Sequence, residues 1–178
     1  MHVRTLPAAH VLTGRKSMIR TFMVIAATAA ALALSPTAFA QPSMSSHGTA
    51  DEAKAMLAKT VAALKADKGK TLDLINKGEG GFLDRDLYPF CSNASDGMIV
   101  AIGNPNAKRL MGMDARTLKD PTGRLYGQEI YAAAQNPEGQ ITEVSYVFAM
   151  PGPDTTPVPK VSFVTRVGDL GCGVGYYK

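Results

Sequence analysis

The chain contains no tryptophan, three histidines and two cysteines among 178 residues, and each scarcity removes a class of chemistry. His2 and His10 lie near the N-terminus and His47 in a polar stretch, so the body of the chain is expected to hold no imidazole. That excludes Ser-His-Asp and Cys-His mechanisms, most zinc sites and a c-type haem motif, and no cofactor is expected. Long apolar runs are missing as well. The most apolar segment, residues 22–34, falls short of the roughly 20 residues that cross a bilayer, which rules out a polytopic membrane protein. An excess of one charge is also missing from the body. Of the 19 basic residues four lie in 1–40, where there is no acid, and the remaining 15 are matched by 15 Asp and Glu. A neutral body without a clustered basic face is poor material for a nucleic-acid partner, because affinity there depends on counterion release by Lys and Arg.

What is present at the start reads as an export signal. Arg15, Lys16 and Arg20 precede the apolar run, and Ala38-Phe39-Ala40 offers small residues for a cut before Gln41. Residues 1–40 are therefore expected to be a cleaved signal peptide, with an uncleaved anchor as the alternative and Met1 or Met18 as the start. Cleavage would release a periplasmic or secreted chain with no stable membrane insertion, long enough for one domain. Export means oxidising conditions, so Cys91 and Cys172 are candidates for a disulfide; two buried free thiols are the alternative.

Residues 41–48 are Ser-, Pro-, Met- and Gly-rich and are expected to form a flexible linker. Thr49 and Glu52 have capping-box spacing, and Ala53, Met56, Leu57, Val61 and Leu64 recur at helical period. A helix interrupted at Gly69 and a shorter helical turn follow. Strands are expected over 87–92 and 98–103 around the Asp96-Gly97 turn, then a polar stretch over 104–123, a short helix over 127–134, and strands over 139–150, 158–167 and 170–177. Two helices, two strands, a helical insert and three strands predict an α+β fold: an antiparallel sheet covered by helices.

Residues 87–178 resemble a single Cache domain, the extracellular relative of the PAS fold. The carriers are Asp96-Gly-Met-Ile-Val-Ala101, Leu118-Lys-Asp-Pro-Thr-Gly123, Tyr126-Gly-Gln-Glu-Ile130, residues 161–164 leading to Val167-Gly-Asp-Leu170, and Gly173-Val-Gly-Tyr-Tyr-Lys178. The helix over 49–68 is similar to the family's long N-terminal helix, so a single Cache-like domain over 49–178 is expected. The resemblance implies a PAS-like five-stranded antiparallel sheet with a small-molecule site between sheet and helical insert, in a sensor of small ligands, often carboxylates or amino acids. Two departures stand out. Where many relatives carry His-Pro, this chain has Ile102-Gly103 followed by Asn104-Pro105, and no membrane helix or signalling domain is expected after Lys178. The expected protein is either a free binder or one that passes its signal to another chain, such as a membrane sensor protein.

Alternation by two places Val144, Tyr146, Phe148 and Met150 on one face of their strand, and Lys160, Ser162, Val164 and Arg166 on one face of the next. The resemblance puts Tyr146 and Lys160 at pocket positions. A cation with hydroxyl donors beside an aromatic wall suits a small carboxylate, through charge-assisted hydrogen bonds on one side and apolar contact on the other. The plain alternative makes Tyr146 and Phe148 ordinary core and Lys160 a solvated edge-strand charge. Tyr88, Phe90, Arg85 and Lys119 are further candidates, from the strand entrance and the insert where relatives place contacts.

Three other patterns carry no chemistry. Gly171-Cys-Gly-Val-Gly175 has no helix after it to receive a phosphate; alternate glycines on one strand face instead let another element approach. Asn93-Ala94-Ser95 matches a glycosylation sequon that chance often supplies, and Asp84 with Asp86 are expected to be solvated turn acids, with no metal site. The function expected is exported small-molecule sensing without catalysis. The competing reading is a periplasmic accessory protein whose pocket is filled by its own side chains and whose surface binds a sensor kinase or other partner.

Overall fold

The computed structural model describes residues 46–178. The leader, the cut after Ala40 and most of the linker lie outside the described residues. Helix α1, Ala50–Ala66, starts on the full capping box: the Thr49 side chain accepts from the Glu52 amide, and the Glu52 carboxylate accepts from the Thr49 amide. Its buried stripe is Ala53, Met56, Leu57, Thr60 and Leu64, the spacing that faces one side of a helix. The break comes at Asp67 rather than Gly69. Asp67 is extended, closes α1 and caps α2, Lys68–Lys77, by accepting from the Lys70 amide. Gly69 is simply part of the first turn of α2, which ends where Gly78 takes up a left-handed conformation (φ 69°).

Five antiparallel strands follow in the spatial order β2-β1-β5-β4-β3: β1 Pro89–Asn93, β2 Ile99–Ile102, β3 Thr142–Ala149, β4 Pro157–Val167 and β5 Leu170–Tyr177. One face of the sheet packs on α1 and α2, burying Leu57, Leu64, Ile75, Phe82, Phe163 and Val174. Between the helices and this face sits a Cys91–Cys172 disulfide, joining directly opposed residues of β1 and β5 across a sequence separation of 81. Closing so long a loop restricts the unfolded chain by roughly 4 kcal/mol in the chain-entropy model.

The other face is covered by the segment between β2 and β3. Where the sequence suggests only a polar stretch, two short 3-10 turns form, Pro105–Leu110 capped by Asn104 and Ala115–Thr117 capped by Asp114. Helix α3, Tyr126–Ala133, completes the insert. Asp120, within the Leu118-Lys-Asp-Pro-Thr-Gly123 motif, fastens this segment to the sheet edge. Its carboxylate accepts from the amides of Thr122 and Arg124, from the Thr122 hydroxyl and, across the gap, from the outward amide of Val147 in β3.

The end of the linker is likewise held. Gly48 is buried, its amide donates to Asp86 (2.6 Å), and His47 Nδ1 lies 3.2 Å from the other oxygen of the same carboxylate. Asp86 is thus a buried anchor for the chain entering α1, whereas the sequence reading treats it as solvated. Asp84 next to it is exposed and pairs with Arg85.

Candidate functional site

A row of glycines fixes the floor of the site. Gly171, Gly173 and Gly175 alternate along β5 on its insert-facing side. A β-carbon at Gly173 would stand 2.5 Å from the Phe90 ring, and one at Gly175 would stand 2.4 Å from both Lys160 Cε and Ser162 Oγ. Their bare backbone lets side chains of β1 and β4 lie across β5 instead of standing up from the sheet. Tyr177 closes the row on the same face. The alternation that puts Tyr176 with Cys172 and Val174 also points Tyr177 here, a signal the sequence offers and that the candidate set omits.

On this floor Lys160 is 1% exposed and makes no ion pair with any carboxylate among the described residues. It lies in the interior strand β4, so it is not the solvated edge charge of the plain alternative. Its ammonium donates to Tyr88 OH (2.6 Å) and Tyr177 OH (3.3 Å) and sits 4.0, 4.6 and 5.4 Å from the ring centres of Tyr88, Tyr177 and Phe148. Burial pushes its pKa down to about 7, against the upward pull of the Asp86 charge. The phenols are held in turn. Tyr88 accepts from Asn104 Nδ2 (3.2 Å), and Tyr177 donates to the Ala149 carbonyl (2.8 Å). Burial raises the pKa of both, so they stay protonated as hydrogen-bond partners.

Ser162, two residues along, is also fully buried, with its hydroxyl 2.9 Å from Tyr146 OH. Tyr146 stacks on Tyr126 at 4.3 Å and meets Phe148 edge to face at 6.0 Å. The aromatic layer therefore caps both polar floor groups and separates them from a small void above. That void is about 40 Å³, room for about one to three waters. Its walls include Tyr88, Phe90, Tyr126, Tyr146, Phe148 and Ile130. Ser92 lines it too; it is 4% exposed, and its hydroxyl has no hydrogen bond among the described residues. Sequence reasoning did not single out Ser92, although it shares a strand face with Phe90.

Phe148 is a shared wall. On its far side opens a groove of about 570 Å³, bordered by Asn104, Asn106, Arg109, Lys119, Asp120, Thr155 and Pro157. Of the sequence candidates, the fold brings Tyr88, Tyr146, Phe148, Lys160 and Ser162 together, with Phe90 beside them. Lys119 borders the outer groove. Arg85 goes elsewhere: it holds a left-handed backbone (φ 55°) and pairs with Glu52 (2.7 Å) and Asp84 (2.9 Å) at the N-terminal end of α1. Its guanidinium draws the Glu52 pKa down to about 2. Among the described residues no three metal-ligating side chains gather, and no helix is long and apolar enough to cross a membrane.

An antiparallel sheet in the order 2-1-5-4-3, with a long helix on one face and an insert over a small cavity on the other, defines a PAS-like fold. Three solved structures share it. The periplasmic sensor domain of a chemotaxis protein matches at 23% identity and TM-score 0.53, covering 71% of this chain and 88% of that one. A methyl-accepting chemotaxis protein from Vibrio parahaemolyticus matches at 21% and 0.55, covering 71% and 86%. A Cache chemosensory domain described for carboxylic acid recognition matches at 24% and 0.51, covering 71% and 86%. At these identities the likeness establishes the fold. The sequence itself matches the family Single Cache domain 2 over residues 37–177, and the chain belongs to that family. None of the curated proteins matches it.

Proposed function

We propose that this chain is an exported sensor that binds a small organic acid between sheet and insert, without turning it over, and passes its occupancy to a membrane-bound partner. One observation carries the reading: a fully buried ammonium, Lys160, with no carboxylate partner among the described residues, set in an aromatic box beside a cavity. Burying a charge without a counter-charge is costly, and a lysine kept there at that cost is ready-made for an anion that arrives from outside. A carboxylate would take the ammonium from Tyr88, place its oxygens among the phenols and Ser162, and rest its carbon chain on Tyr126 and Phe148. The family, and the carboxylic acid recognised by one structural relative, support this assignment. Export follows from the leader, and a signalling partner from the sensory character of the relatives. The proposed chemistry is binding alone, in keeping with the family to which the chain belongs.

A second reading rests on the size of the void. With about 40 Å³ open and Lys160 and Ser162 already capped by tyrosines, the box could be self-filled, leaving an accessory protein that works through its surface. Thermal denaturation against short aliphatic acids and amino acids separates the two. A native-state ligand at a hundred times its Kd stabilises by about 2.7 kcal/mol, a midpoint shift on the order of 10 °C for a domain this size. A concentration-dependent rise with carboxylates, lost in Lys160→Met, is expected; no shift with any acid would leave the self-filled reading standing.

A further inference from the structure

The outer groove has a charge pattern that the inner site does not explain. The insert carries three arginines, and two are consumed by acids: Arg116 by Asp114 (2.7 Å) and Arg124 by Glu129 (2.6 Å). Arg109 is exposed and makes only one hydrogen bond, to the Asn106 carbonyl of its own turn (2.8 Å), with no carboxylate partner among the described residues. Lys119, exposed and bordering the same groove, has no hydrogen bond or ion pair among the described residues. The acid that borders the same groove, Asp120, is already taken by four donors from Thr122, Arg124 and Val147. Two cations therefore border one hollow with a single carboxylate, Asp120, which keeps its charge but pairs with neither of them, so the lining keeps a net positive charge. Arg109 also stands close to the inner site: its charge, opposed by that of Asp120, is felt at the buried hydroxyl of Tyr126, which stacks on Tyr146 in the cavity wall. Phe148, half-buried and shared by both spaces, lies 5.4 Å from the Lys160 ammonium.

We propose that the groove is a second anion subsite of the same binding site, so that the ligand is an organic acid with a second anionic group. One end meets Lys160, and the other meets Arg109 and Lys119 once Phe148 turns aside. This rests on the reading of Lys160 given above. It also answers the volume problem: the inner void is too small for an organic acid, whereas void and groove joined by one ring rotation have ample room. Asn106 would lie beside the outer end. Its amide already ties the β3–β4 connection to the insert through the Met150 and Gly152 carbonyls, which fixes the groove's far wall.

Calorimetry with paired probes tests the proposal: malonate, succinate, glutarate and adipate, each against the monocarboxylate of the same carbon number. In the unaltered protein at least one diacid is expected to bind about tenfold more tightly than its monoacid, the scale of an added charge-assisted hydrogen bond. In Arg109→Gln/Lys119→Gln that ratio should collapse toward one, while Arg109→Lys with Lys119 retained keeps most of it. Both altered side chains are exposed, and a melting midpoint near that of the parent verifies the fold. Equal binding of diacids and monoacids by the parent, or a diacid preference that survives the double substitution, overturns the second subsite and leaves the inner site intact. Failure of every acid to bind the parent overturns the inner site, and the groove proposal with it.

Discussion

Replacing Lys160 by methionine tests whether the buried amine is held at a cost. The unfolded chain titrates this group near 10.5, whereas burial lowers it to about 7 in the folded domain. Below about pH 7 the amine is protonated in both states and the folded state carries the full burial penalty. Between about 7 and 10.5 the unfolded chain binds more protons, so the stability of the parent rises with pH, by at most about 1.4 kcal/mol per pH unit. The whole window has an upper limit of about 5 kcal/mol. The methionine side chain has nothing to titrate and orphans no neighbour, because Tyr88 keeps its Asn104 and Tyr177 contacts and Tyr177 keeps the Ala149 carbonyl. Urea denaturation of both proteins at about pH 6, 8 and 9.5 therefore should show an advantage of Lys160→Met that is largest at the acid end and narrows as pH rises. Parallel stability curves would refute the reasoning, since they would mean that Lys160 keeps an ordinary pKa in the fold.

Gly175→Ala puts a β-carbon into Lys160 Cε and Ser162 Oγ, and overpacking of this kind costs about 1–3 kcal/mol. Carboxylate affinity should fall with it, and an unchanged melting midpoint would disprove the role given to the glycine row. Asp86→Asn removes the charge that pulls the Lys160 pKa upward and weakens the anchor for Gly48. The amine should titrate lower than in the parent, and titration at the parent's value would exclude the coupling. Replacing both Cys91 and Cys172 by Ala should cost up to about 4 kcal/mol in urea denaturation; equal stability of the two proteins would show the bridge to be inconsequential.

Much of the scaffold was legible because local chemistry and tertiary packing agree. The capping box starts α1, the Asp96-Gly97 turn joins the first two strands, and alternation by two assigns the faces of β3, β4 and β5 correctly. The glycine row was readable as a place of close approach, though not that the approaching groups would be Lys160, Ser162 and Phe90. What escaped the sequence depends on contacts distant along the chain. Asp86 looks like a turn acid until Gly48 is folded onto it, and the role of Asp120 depends on the outward amide of an edge strand. Lys160 follows prolines at 157 and 159, a local pattern that suggests a solvated loop, and only its pairing with Tyr146 and Tyr177 in the middle of the sheet buries it. Arg85 has the right type and approximate place for an anion contact, but two nearer acids claim it.

The claim on which all of this stands is that Lys160 waits in the folded domain for an anion it does not yet have. Nuclear magnetic resonance of the lysine ε-methylene, followed through a pH titration without ligand and again with a saturating carboxylate, reads that directly. The account predicts a midpoint near 7 for Lys160 alone, rising when the acid is bound because the carboxylate favours the charged form. An ordinary midpoint near 10.5 without ligand, or one that no carboxylate moves, would contradict it.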